Sequence, residues 1–157
     1  MKKLLLLLTV CLLTIGSATA QKKSKEEKAA EKAKLEAENK VLYSRLFNST
    51  NFVFVPQSWQ TKSGGRNNVT GYYYSRVRPD GFQVDMPGVS EIEIKDNFEI
   101  TDNEETKTGF RLVVSFEDAG TKYTFDFAVN SATGRAALRV KSNKAEDVTY
   151  TGTIREN

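Results

Sequence analysis

The sequence predicts a mainly β protein: an antiparallel β-sandwich or partly closed β-barrel, preceded by one N-terminal α-helix. Three observations lead there. Apolar and polar residues alternate through most of the second half of the chain, the period of strands with one buried face. Turn signals built from Pro, Gly, Asp and Asn separate these runs at hairpin spacing. A stretch without Pro or Gly, rich in Lys, Glu and Ala, comes before them.

The first twenty residues read as a cleavable secretory signal peptide. Lys2 and Lys3 form a positive n-region, and Leu4 to Ile15 an apolar h-region. Gly16-Ser17-Ala18-Thr19-Ala20 then places small residues three and one before a cut at Gln21. The apolar run is shorter than the roughly 20 residues a spanning helix requires. The expectation is therefore export to the periplasm or beyond, with no transmembrane segment after cleavage. Cys11 is the single cysteine of the chain and falls inside the h-region, so the exported part is expected to have neither a lipid-bearing cysteine nor a disulfide. Losing Lys2 and Lys3 lowers the formal net charge from +3 to +1. The basic balance of the whole chain thus belongs largely to the leader and does not point to nucleic acid.

Residues 21–47 form a charged helical lead. Helix is expected over 24–47, with Ser24 and Glu27 spaced as a capping box. Its apolar stripe is weak at Ala30, Ala33, Ala37 and Val41, and strengthens at Leu42, Leu46 and Phe47. The last two turns are expected to dock, and the first part to be exposed. Residues 48–157 form the β domain. Phe52 to Val55 is a short apolar strand. A polar loop follows over 57–68 with the pair Gly64-Gly65, and a strand-like run covers Val69 to Arg78. Pro79-Asp80-Gly81 turns the chain into Phe82, Val84 and Met86; Pro87-Gly88 turns it again into Glu91 to Lys95. Phe98 to Ile100 comes next. The clearest alternation is Phe110, Leu112, Val114, Phe116; then Tyr123, Phe125, Phe127, Val129; then Ala136, Leu138, Val140; then Val148, Tyr150, Gly152, Ile154. Eight or nine short strands result, enough for a chain of this size to bury roughly two-thirds of its unfolded surface.

Much chemistry is excluded. The chain has no His. With no cysteine after cleavage, a His-based triad, a thiol nucleophile and the usual zinc sites are ruled out. No phosphate loop and no calcium loop is present, and no cofactor or metal is expected. Carboxylate pairs are available on strands, Glu91 with Glu93 and Asp102 with Glu104, as a glycosidase would require. Their plainer reading is solvated acids on outer faces. Aromatics stand out more. Trp59 follows Pro56-Gln57-Ser58, and Tyr72, Tyr73 and Tyr74 are consecutive, so that one ring at least leaves its strand's inner face. These four are the candidate ligand-binding residues. Arg66, Arg76 and Arg78 lie close by in sequence.

The chain also resembles a known family. Phe52-Val53-Phe54-Val55-Pro56 follows a Lys/Glu/Ala lead. Near the end come Ala136-Ala137-Leu138-Arg139-Val140-Lys141-Ser142 and Val148-Thr149-Tyr150-Thr151-Gly152-Thr153-Ile154. From about Phe52 to Ile154 this layout is similar to DUF4251, a family of exported Bacteroidota proteins. The resemblance implies a β fold and a periplasmic or cell-envelope location, and it brings no activity and no functional residue. Members often carry a Leu-Pro-Tyr-Phe-Gly-like stretch in mid-chain, where this chain has Asp85-Met86-Pro87-Gly88-Val89 without the aromatic pair.

The leading expectation is a non-enzymatic envelope protein that binds a lipid, a glycan or another envelope protein. The alternatives are a structural or assembly factor acting through the N-terminal helix, and a carboxylate-based hydrolase.

Overall fold

The computed structural model describes residues 25–157. The expected leader, residues 1–20, and the Ser24 cap lie outside them. The chain divides into two units between Ala33 and Lys34. In the first, residues 25–33 are helical and exposed. They are Lys, Glu and Ala throughout, so they offer no large apolar side chain to bury.

The helix, α1 (Lys25–Asn48), crosses this boundary. In the second unit its last two turns bury Tyr43, Leu46 and Phe47, while Val41 stays exposed. Tyr43 therefore takes the inward place that a stripe through Val41 assigns elsewhere. Phe47 stacks on Phe52 at 4.9 Å and meets Phe110 at 5.9 Å between ring centroids. The helix ends by handing its carbonyls to new donors. Ser49 N donates to the Arg45 carbonyl at 3.0 Å and Asn51 N to that of Leu46 at 3.2 Å. The Asn103 side chain donates to the Phe47 carbonyl at 3.1 Å.

The strands are β1 (Phe52–Thr61), β2 (Asn67–Asn68), β3 (Tyr74–Arg78), β4 (Gly81–Met86), β5 (Val89–Ile94), β6 (Phe98–Glu105), β7 (Gly109–Asp118), β8 (Thr121–Asn130), β9 (Arg135–Ser142) and β10 (Val148–Arg155). They form one antiparallel sheet in the order β5-β4-β3-β1-β10-β9-β8-β7-β6, with β2 also paired to β1. β5 and β6 are successive in the chain yet are the two edges of the sheet. The sheet is thus a nearly closed barrel with a seam between β5 and β6. Both edges are studded with carboxylates, Glu91 and Glu93 on β5 and four more on β6, which discourages pairing with a foreign strand.

Inward positions hold the residues that the alternation selects. Phe52, Phe54, Phe82, Phe125 and Phe127 have no exposed surface. Phe82 of β4 meets Phe125 of β8 at 4.8 Å and Phe116 of β7 at 5.4 Å, so rings from opposite walls touch across the interior. The barrel is filled by its own side chains.

Three boundaries differ from the sequence reading. β1 does not stop at Pro56 but runs to Thr61 through an irregularity between Pro56 and Ser58. The extra residue shifts the inward phase, so Phe54 and Pro56 face in and then Trp59, opposite Tyr150. Residues 69–73 are not strand; Gly71 turns the backbone with φ 130° and Tyr72 is fully exposed, so β3 begins at Tyr74. β6 continues past Ile100 to Glu105, because its partner β7 supplies the ladder that its polar sequence hides.

Tyr150 is buried at the end of the barrel away from α1. Its hydroxyl donates to the Pro87 carbonyl at 2.5 Å. Burial holds its ionisation well above that of an ordinary tyrosine, and that of Tyr43 is raised for the same reason. Above pH about 10 the unfolded chain releases these protons while the folded chain keeps them. Stability is therefore complete below that pH and falls as pH rises through it, by up to about 1.4 kcal/mol per unit for each tyrosine. Urea midpoints between pH 8 and 11.5 check this: the slope becomes shallower in Tyr150→Phe.

Candidate functional site

A groove of about 610 Å³ opens on the outer face of the barrel. Its floor follows from strand register. Ala128 of β8 pairs with Ala137 of β9, and Ala137 pairs with Thr151 of β10. Thr151 pairs in turn with Ser58 of β1. Small side chains in one row leave a hollow that larger ones would fill. Thr106, Thr108, Asn130 and Gln57 stand around it with hydroxyl and amide groups.

Two guanidinium groups, Arg66 and Arg135, belong to the lining, which includes no carboxylate. Arg66 is fixed by the loop between β1 and β2. Ser63 N and Oγ donate to the two carboxylate oxygens of Glu146 at 2.5 and 2.7 Å, tying the loop to the β9–β10 hairpin. Asn67 and Asn68 pair with Trp59 and Ser58. Arg66 Nε then donates to Ser58 Oγ at 2.9 Å and Nη2 to Thr151 Oγ1 at 3.3 Å. Arg135 opens β9, where the turn ending at Gly134 (φ 67°) delivers it. Among the described residues neither arginine forms an ion pair. The groove thus offers oriented donors and uncompensated positive charge, which suit a polar ligand with acceptor oxygens.

The four aromatic candidates occupy different surroundings. Trp59 is half-buried against the core and, with Val148 and Tyr150, converges on Gly88. Tyr72 stands in solvent. Tyr73 lies against Gly71. Tyr74, on the outer face of β3, takes Arg76 over its ring at 5.1 Å. Trp59 faces inward and Tyr74 outward, so the structure does not gather the four on one surface.

The carboxylate candidates fall into two pairs in different surroundings. Glu91 and Glu93 are exposed on β5. Asp102 and Glu104 lie 2.7 and 3.7 Å from Arg111, which also takes Asp126 in a two-point contact at 2.9 and 3.0 Å. The Asp126 contact, with help from Asp102 and Glu104, holds Arg111 above its ordinary pKa. Among the described residues no group of three or more His, Cys, Asp or Glu is placed to hold a metal ion. Nor is any helix among them long and apolar enough to cross a membrane.

The model of the family described as "Domain of unknown function (DUF4251)" matches residues 34–154. The chain belongs to the DUF4251 family. The match takes in every residue that lines the groove. A crystal structure of a DUF4251 family protein from Bacteroides eggerthii DSM 20697 is similar at 15% identity. It covers 77% of this chain and 91% of its own, with a TM-score of 0.60. That likeness shows the shared DUF4251 fold. No curated protein matches the chain.

Arg66 and Arg135 were not legible as a pair, since 68 positions lie between them and topology alone joins them. One signal for them is in the sequence: the segments 135–142 and 148–155 contain no acidic residue.

Proposed function

We propose that this protein is exported to the cell envelope and binds a small polar ligand, without catalysis, in the groove on the outer wall of its barrel. The groove carries the reading. A filled interior leaves no room for a ligand inside, whereas the outer hollow has the volume of a small-molecule site, about 300–1,000 Å³. Its floor is apolar and its rim holds convergent donors. The Lys2-Lys3 and Leu4–Ile15 pattern with the Ala18-Thr19-Ala20 ending supports export. The engagement of Asp102 and Asp126 by Arg111 supports a structural use of these acids.

Ala137→Trp tests the reading. Its side chain rises from an outward position on the floor and occludes the hollow without entering the core. Amide chemical shifts are followed while neutral and acidic disaccharides are titrated. Wild type is expected to respond at Ala128, Asn130, Ala137 and Thr151, with the disaccharides unaltered, and the variant to lose the response while keeping its fold. Responses centred on Trp59 and Tyr72 to Tyr74, or cleavage of a disaccharide, would contradict it.

A further inference from the structure

The barrel wall is divided electrically. β9, β10, β1 and β3 are successive around it, with β2 beside β1. These five strands carry six cations, Arg76, Arg78, Arg135, Arg139, Lys141 and Arg155, and no carboxylate. The remaining strands, β4 to β8, carry ten carboxylates and two cations. The floor of the groove runs from β8 across β9 and β10 to β1, mostly in the basic half. Acids in the loops nearby are already engaged: Asp147 accepts from Arg139 at 2.7 Å, and Glu146 holds Ser63.

We propose that the groove holds an anionic group, a carboxylate or a phosphate, between Arg66 and Arg135. This rests on the reading of the groove as the ligand site and names the class of ligand. The support of Arg66 is informative. Hydroxyl oxygens orient a guanidinium without cancelling its charge, as a carboxylate partner would. Nε and one N–H of Nη2 are used by Ser58 and Thr151. Both N–H groups of Nη1 and the second of Nη2 remain to meet an anion in the forked geometry that oxyanions accept. Ser58 and Thr151 are locked to each other at 2.6 Å, so the fork is held before a ligand arrives. Arg135 brings a second permanent charge to the same hollow. Two unneutralised guanidinium groups facing one cavity repel each other, and an anion between them relieves that. Ala128 and Ala137 let its oxygens approach the wall closely, and Thr106, Thr108 and Thr151 supply hydroxyls. The basic strands around the hollow add attraction at longer range, screened over about 10 Å at 0.1 M salt.

The test titrates inorganic phosphate, glucuronate and glucose into the protein at low and high salt, read by amide chemical shifts. Wild type is compared with Arg66→Gln, Arg135→Gln and Arg139→Gln; the last arginine is paired with Asp147 and does not line the groove. Saturable shifts at Ala128, Ala137 and Thr151 are expected with an anion. Phosphate alone identifies a phosphate ester as the source, and glucuronate alone a sugar acid. Affinity is expected to fall about tenfold or more in each groove variant, to be unchanged in Arg139→Gln, and to weaken with salt. Circular dichroism establishes that the variants are folded. Glucose bound in the groove as tightly as glucuronate, or groove variants that bind like wild type, would overturn the anion assignment while leaving the groove in place. Silence of the groove toward all three probes would overturn both.

Discussion

A Gly152→Ala variant is expected to lose about 3–5 kcal/mol of folding stability. Gly152 sits on β10 opposite Pro56, where β1 carries its irregularity. The β1 backbone lies close against β10 there. A methyl group on Gly152 would drive into the Val55 carbonyl oxygen, with the carbonyl carbon at 2.9 Å and Pro56 Cα at 3.0 Å. These are main-chain atoms paired to β10 itself, so no side chain can swing away to relieve the overlap. The same irregularity turns Trp59 inward and seats Ser58 for Arg66, so the barrel wall and the groove depend on one close approach. Gly65→Ala is the matched control. A methyl there meets nothing within 4 Å, and its stability is expected to stay within about 0.5 kcal/mol of wild type. Urea unfolding of both variants decides this. A Gly152→Ala protein as stable as wild type would show that the strands do not approach as described.

Phe127→Ala is expected to cost about 3–5 kcal/mol. Phe127 is fully buried on β8. Its ring meets Phe52 and Phe54 of β1 at 5.4 and 6.2 Å, and Phe82 of β4 at 6.3 Å. Removing it deletes the ring and leaves a hole that three other rings, fixed on two strands, fill only in part. The size of the loss reports how well filled the barrel is. A loss below about 1 kcal/mol, measured by urea unfolding, would mean an interior loose enough to collapse or to admit a guest.

The strands most legible in the sequence were those from Gly109 to Arg155. There each strand buries one face and exposes the other, so the alternation of Phe125, Phe127 and Val129 with Asp126 and Ala128 is the fold written out. β1 was half legible. Phe52 to Val55 declares a strand, but the shifted register beyond Pro56 breaks the period and makes Gln57 to Thr61 read as loop. β6 was obscured in another way: an edge strand has one paired side and carries charge by need, so Asn103 to Glu105 give no apolar signal. Val69 to Tyr73 misled in the opposite direction, because aromatic content suggests a strand while Gly71 breaks it. The groove was the least legible feature. Alanines on an outer face look like weak strand residues, and only the order β8-β9-β10-β1 assembles them into a floor. What composition did show was the absence of acids from β9 and β10, the half of the charge division that lines the groove.

The most direct measurement is a crystal structure of the protein grown with glucuronate. The account predicts density in the outer groove, with a carboxylate between the Arg66 and Arg135 guanidinium groups and the sugar over Ala128 and Ala137. Sugar density seated instead on Trp59 or the Tyr72 to Tyr74 segment, with the groove empty at saturating ligand, would contradict it.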